Sequence, residues 1–273
     1  MNTKKTMLLA LGAALCTTLT SLAAEPTLTK SGSWKGFPCD FYTFNGHSAC
    51  VVKPKADACK GKPWTWTVQW WDAFVPGTCV PQLIAKGYHH TWIDMYGTRT
   101  FSDDDLKLMA DWQAFIVRKY GLAPKANLLG LSWGGFFSTR YAAKYPDNIA
   151  KIYYDNPLMN FDLFRDTEEA RMKEIGKKWA GSKPADGVWA SDPRMPVNLS
   201  APIAKAKIPV LLLYGTDDKT CPPQTNCLFF VERFKAAGGD VTIVKREGSG
   251  HHPHGVTDPK DQTIVRFFTG AAK

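Results

Sequence analysis

Ser132 stands in the run Gly130-Leu131-Ser132-Trp133-Gly134. A short apolar stretch from Asn127 to Leu131 reads as a buried strand. Trp133 to Tyr145 then reads as a helix. A serine in a sharp strand-to-helix turn holds its Oγ clear of the sheet. The N–H of Trp133, opening the helix, faces the reacting oxygen from the positive end of the helix dipole. Gly130 and Gly134 fit this turn because a Cβ at either place would meet neighbouring backbone. A serine hydroxyl attacks a carbonyl only when a base takes its proton and an acid orients that base. In an open parallel sheet such groups lie beyond the carboxyl ends of the strands. Two downstream segments qualify. Gly215-Thr216-Asp217-Asp218 follows the apolar run Ile208 to Tyr214, and Gly250-His251-His252-Pro253-His254 follows Val241 to Lys245. The His-His-x-His cluster also has metal-binding chemistry. No carboxylates are spaced around it, so no metal and no organic cofactor is expected.

These residues need a scaffold, and its elements are legible along the chain. Phe37 to Phe44 and His47 to Val52 are two strand-like runs joined at Asn45-Gly46, a hairpin signal. Trp64 to Trp71 alternates Trp, Trp, Val and Trp with Thr, Thr and Gln, which predicts a strand. A second oxyanion N–H is expected from the loop after it, from Trp71 or alternatively from Asp72. Pro81 to Lys86 reads as a short helix and Tyr88 to Asp94 as a strand. Asp103 to Tyr120 reads as a long amphipathic helix capped by Ser102 and ended by Gly121. Ile149 to Asp155 is another strand. Residues 157–200, carrying several prolines and one helix-like stretch from Asp166 to Ala180, break the alternation and are expected to form a cap-like excursion. Leu228 to Ala237 and Asp261 to Phe268 read as helices. A hairpin followed by strand–helix alternation implies a mostly parallel sheet covered on both faces.

His89 and His90 open a strand, at the end of the sheet away from Ser132, and are expected to be structural, as is His47. Asp94, Tyr96, Asp155 and Asn156 end strands on the Ser132 side, where turn and capping roles are commoner than substrate contact.

Residues 1–24 carry Lys4 and Lys5, an apolar stretch from Met7 to Leu19 and small residues at Ser21 to Ala24. That is the pattern of a secretory signal peptide, with an apolar core too short to span a bilayer. The expectation is therefore a secreted or periplasmic protein with one domain over residues 25–273 and no integral membrane segment. The formal charge of +9 suits solubility. No Lys/Arg cluster is interleaved with aromatics on one element, so nucleic acid is not an expected partner. Cys39, Cys50, Cys59, Cys79, Cys221 and Cys227 remain after removal of the leader. An even number in an exported chain predicts disulfides, among fifteen possible connectivities. The strand directions allow at most one bridge within each of two trios, Cys39/Cys50/Cys59 and Cys79/Cys221/Cys227. Cys221–Cys227 is the first choice and Cys39–Cys50 the weaker one.

Three motifs together, Gly-Leu-Ser-Trp-Gly, Gly-Thr-Asp-Asp-Lys-Thr-Cys-Pro and Gly-Ser-Gly-His-His-Pro-His-Gly, resemble those of the α/β-hydrolase superfamily. Within it the chain is similar to small secreted bacterial hydrolases of the prolyl-oligopeptidase-like and carbohydrate-esterase-like groups. The resemblance implies an α/β-hydrolase fold and a Ser–Asp–His order. It selects Asp218, with Cys221-Pro222 after it, over Asp217, and His251 as the base. It further implies an acyl-enzyme mechanism with Trp133 and Trp71 N–H groups at the oxyanion. Trp71, Trp133 and His252 are the expected substrate contacts. The His-Gly oxyanion signature of many esterases is replaced here by Gln69-Trp70-Trp71-Asp72. The expected substrate is a carboxylic ester, foremost an acylated carbohydrate, whose sugar ring a Trp-rich pocket can stack. The runner-up is a peptidase, although the large propeller of the prolyl-oligopeptidase group is not expected here. A non-catalytic carbohydrate-binding protein on this scaffold is the third possibility.

Overall fold

The computed structural model describes residues 25–55, 57–95, 102–162 and 188–270. Tyr96, the leader expected over residues 1–24 and the helix expected from Asp166 to Ala180 lie outside the described residues. Nine strands form one sheet: β1 (Thr27–Trp34), β2 (Phe37–Phe44), β3 (His47–Val52), β4 (Trp64–Val68), β5 (His89–Ile93), β6 (Ala126–Leu131), β7 (Ile149–Asp155), β8 (Val210–Gly215) and β9 (Val241–Arg246). Their order across the sheet is β1-β2-β3-β5-β4-β6-β7-β8-β9. The first three pair antiparallel, β3 meets β5 antiparallel, and every later pair is parallel. The fold is thus the expected α/β-hydrolase architecture with an antiparallel edge, in which the carboxyl ends of β4 to β9 share one rim.

Both faces of the sheet are covered, and the strand sequences show why. Along β6, Ala126 and Leu128 join one buried cluster while Leu129 and Leu131 join the other. Val210 and Leu212 of β8 likewise oppose Leu211 and Leu213. Strands buried on both faces read as continuous apolar runs. One face is packed by α2 (Asp103–Tyr120), α3 (Trp133–Lys144), α4 (Ser200–Lys205) and α5 (Cys227–Ala236). The other is packed by α1 (Val80–Ala85) and α6 (Thr263–Thr269). Helix α2 has the predicted ends. The Ser102 side chain accepts the Asp104 N–H, three aspartates fill the first turn, and Gly121 closes the helix at φ +63°. No helix among the described residues is long and apolar enough to cross a membrane.

Two elements differ from expectation. Strand β1 was not legible, because seven of its eight residues are exposed and carry no apolar alternation. Its only local signal is the Lys35-Gly36 turn, where both residues have positive φ, as a tight hairpin connection requires. Strand β4 stops at Val68, three residues short of the expected Trp71. Gln69 adopts φ +84° there, which takes the backbone out of the sheet and lays Trp70 to Asp72 beside the strand rim.

The expected disulfides are not formed: all six cysteines of the described residues are free thiols. The Cys221 N–H is committed to the Asp218 carboxylate, while the Cys227 Sγ, at the start of α5, faces the Pro223 carbonyl at 3.9 Å. Cys39 and Cys50 do meet across β2 and β3. The hydrogen bond from Cys39, followed by burial, pushes the Cys50 thiol well up. Burial and the Asp218 charge raise Cys227 to about 12, so it is no nucleophile. The described ends of the 157–200 excursion are packed parts of the domain. Met159 and Asn160 donate backbone N–H groups to Asn226 Oδ1, and Trp189 is buried edge-on against Phe161.

Candidate active site

Ser132 sits at φ +48°, ψ −119°, between β6 and α3. This is a strained conformation for a residue with a Cβ, held by what surrounds it. Its carbonyl accepts the N–H groups of Gly135 and Leu158, and its own N–H donates to the Asp155 carbonyl. The flanking glycines are sterically required. A Cβ on Gly134 would lie 2.1 Å from the Val68 oxygen. One on Gly130 would lie 2.9 Å from Ser138 Oγ and 3.0 Å from Gly135 Cα. The elbow can form only because β4, β6 and α3 approach this closely.

The two downstream loops bring their side chains to the same point. His251 Nε2 lies 3.0 Å from Ser132 Oγ, and His251 Nδ1 lies 2.8 Å from Asp218 Oδ2. The other Asp218 oxygen accepts the backbone N–H groups of Thr220 and Cys221, each at 2.8 Å. Both side chains are buried, at 0% exposure for Asp218 and 7% for His251. Asp217 is exposed and, among the described residues, its carboxylate accepts only the Thr216 hydroxyl. The structure therefore brings together Ser132, His251 and Asp218 and leaves Asp217 outside. Such a line can move a proton from the serine to the imidazole while the carboxylate fixes the ring. Gly215 makes the convergence possible, since a Cβ there would come within 2.3 Å of the Ser249 carbonyl.

The loop after β4 lies alongside. Val68, the last residue of β4, is paired in register with Gly130, so the loop from Gln69 to Asp72 begins beside the strand end that carries Ser132. No acceptor within the described residues takes the Trp71 N–H. The Trp71 indole is half-buried and stacked between Trp34 at 5.2 Å and Trp92 at 5.6 Å. Trp70, Trp71 and Trp92, with Gln69, Asp72 and Asp94, line a cavity of about 360 Å³. Among the described residues, no partner takes the buried Gln69 Oε1. Trp133 differs from expectation: its indole is buried against Phe136 and Phe161 and belongs to the core rather than to a substrate wall. Its backbone opens α3 directly after Ser132. His252 is exposed and stacks on Phe74 with ring centroids 5.1 Å apart. Burial, with His251 and His254 alongside, lowers its pKa.

A buried polar network that the sequence reading missed ties these loops together. The Asp155 carboxylate, at the end of β7, is fully buried. It accepts Arg246 Nη2 at 2.7 Å, His254 Nδ1 at 3.1 Å, the Gly255 N–H and the Tyr153 hydroxyl. Burial works to raise its pKa, but the hydrogen bond from His254, the Arg246 charge and the Tyr153 hydrogen bond outweigh it and hold the carboxyl low. Asn156, at φ +41°, donates to the carbonyls of Gly250 and His251 and accepts the Gly215 N–H. Strand β7 thus braces both loops that carry the site. The signal was present only as Asp-Asn at a strand end. His89 and His90 lie at the opposite end, as expected. His90 is fully buried, paired with Thr65 Oγ1 and stacked on Trp34.

Residues 89–180 of the 273 match the model of a family described as having the alpha/beta hydrolase fold. No curated protein matches the chain by sequence. Solved structures do match by fold. An acetyl xylan esterase from Paenibacillus sp. R4 superposes with TM-score 0.64 at 14% identity, covering 91% of this chain and 88% of that one. An S-formylglutathione hydrolase from Agrobacterium tumefaciens gives TM-score 0.59 at 13% identity, with 83% and 92% covered. Porphyromonas gingivalis dipeptidyl peptidase 4 gives TM-score 0.58 at 14% identity, with 86% of this chain but 34% of that one covered. The chain spans less than half the length of the peptidase chains that it matches.

Proposed function

We infer from the α/β-hydrolase fold of this chain that it is a serine hydrolase working through an acyl-enzyme. The single observation carrying this is the hydrogen-bonded line from Ser132 Oγ through His251 to Asp218. Ser132 attacks the substrate carbonyl as His251 Nε2 takes its proton. Asp218, bonded to Nδ1, holds the ring in the tautomer that leaves Nε2 a lone pair and stabilises the imidazolium once formed. The oxyanion is met by the N–H of Trp133 and that of Trp71, with Asp72 as the alternative to Trp71. His251 then returns the proton to the leaving group, and water repeats the sequence on the acyl-enzyme. None of these steps calls for a metal or an organic cofactor.

The substrate we propose is a carboxylic ester, foremost on an acylated carbohydrate. Support comes from the cavity beside the loop after β4, whose aromatic wall of Trp70, Trp71 and Trp92 suits the apolar side of a sugar ring. The same cavity carries Asp72 and Asp94. Asp72 already pairs with Lys35 Nζ at 3.2 Å and accepts the Trp34 indole N–H; the second reading, a serine peptidase, is favoured by the fold shared with dipeptidyl peptidase 4. Export by the leader at residues 1–24 belongs to the proposal. Amino-terminal sequencing of the protein recovered outside the cytoplasm, beginning near Glu25, tests it. Fluorophosphonate labelling separates an enzyme from a binding protein on the same scaffold: wild type should label and Ser132→Ala should not. A panel of acetyl, feruloyl and longer-chain esters beside aminoacyl amides then ranks the substrates. An unlabelled folded wild type would refute the mechanism.

A further inference from the structure

Three histidine rings crowd the end of the loop that carries the base. His251, His252 and His254 stand edge to face with one another, their ring centroids 4.7 to 5.0 Å apart. One ring nitrogen from each lies within 4.8 Å of the others. Two of the three are oriented by buried carboxylates, His251 Nδ1 by Asp218 and His254 Nδ1 by Asp155. A carboxylate on one ring nitrogen fixes the tautomer and makes the other nitrogen a better metal ligand, the arrangement found behind zinc-bound histidines. The third ring, His252, is exposed, stacked on Phe74 and edge to face with the other two histidines, with no hydrogen bond among the described residues. It can swing without disturbing the core, and a movement of that size is what zinc–nitrogen bonds of about 2.0–2.1 Å require.

We propose that His251, His252 and His254 form a binding site for one zinc ion, and that its occupation switches the enzyme off. Three neutral imidazoles with a fourth position open match zinc, and imidazole donors discriminate against magnesium and calcium. The inhibitory consequence rests on His251 being the base. The lone pair given to zinc is the one that would take the Ser132 proton, so an occupied site leaves the serine without a base. Binding itself does not depend on that role.

The test is a calorimetric titration of the full-length protein with zinc, run beside turnover of an activated ester. One zinc per chain should bind, turnover should fall in step with occupancy, and a chelator should restore it completely. Magnesium should do neither. His252→Ala, at an exposed position, should weaken binding at least tenfold, and zinc should slow fluorophosphonate labelling of the wild type. Cobalt in place of zinc should give the visible absorption of a nitrogen-ligated site, lost in His252→Ala. No stoichiometric binding, or equal affinity in His252→Ala, overturns the site. Stoichiometric binding with undiminished turnover overturns the inhibition. A protein that binds zinc as described yet hydrolyses no ester or amide refutes the serine-hydrolase reading and leaves the metal site standing.

Discussion

Asp218→Asn should cost far more than the loss of one charge, because the backbone decides which way the new amide points. In the wild type one carboxylate oxygen accepts the N–H groups of Thr220 and Cys221, and the other faces His251 Nδ1. An asparagine must keep its carbonyl oxygen toward the two N–H donors, or its amide would confront them. The NH₂ group then faces Nδ1 and forces that nitrogen to be the acceptor. The imidazole proton moves to Nε2, the atom 3.0 Å from Ser132 Oγ. A protonated Nε2 cannot take the serine proton, so the dyad is in the wrong tautomer for attack. Where a triad aspartate has been treated in this way, turnover falls about 10⁴-fold, or about 5.5 kcal/mol of transition-state stabilisation. The expectation here is the same order in kcat on an activated ester, with KM moving far less. Asp217→Asn touches an exposed side chain bonded, among the described residues, only to Thr216 and should stay within a few-fold of wild type. Circular dichroism checks that both variants are folded. A loss smaller than tenfold in folded Asp218→Asn, or an equal loss in Asp217→Asn, would refute the tautomer argument.

Asp155→Asn should destabilise the domain by about 3–5 kcal/mol, since it leaves the mostly buried Arg246 charge without a carboxylate, bonded only through Nη1 to the Pro253 and Gly255 carbonyls among the described residues. In a chain of this size the melting temperature should drop by roughly 10 °C, and a shift below about 2 °C would show that the network is dispensable. The pH dependence of stability should carry the mark of His90. Burial lowers its folded pKa to about 3, and His89, lowered by burial and by Lys62 and Lys53, lies at about 4. An unfolded histidine titrates near 6.5, so between these values only the unfolded chain takes up the proton. Stability is thus full above about pH 6.5 and is lost as the pH falls toward 4, with His90 alone costing roughly 2 kcal/mol at pH 5. Urea denaturation at pH 7 and pH 5 should show this loss, and His90→Gln should shrink it; an unchanged difference would remove His90 as the cause.

The Ser132 elbow was legible because its constraints are local: a strand end, a serine and glycines whose missing Cβ atoms the packing demands. The helix Asp103–Tyr120 was legible for the same reason, having its cap, its dipole charges and its terminal glycine within one stretch of chain. The parallel sense of β4 to β9 followed from the alternation of elements, whereas the crossing that puts β4 between β5 and β6 did not. By contrast, β1 carries almost no apolar signal and exists because β2 offers it an edge to pair with. The choice of Asp218 over Asp217 needed more than the sequence of the turn, since neighbours in a tight turn point opposite ways and only the fold says which one meets His251. The Trp133 ring was expected at the substrate and lies in the core instead, because nothing in the turn says which way a helix-opening side chain packs. The network of Asp155, Arg246 and His254 joins positions 91 and 99 residues apart. No spacing rule links such positions. Composition and periodicity settle which residues are buried and in what kind of element, whereas the partner of a buried charge is set by which strand ends the tertiary fold brings to the same rim.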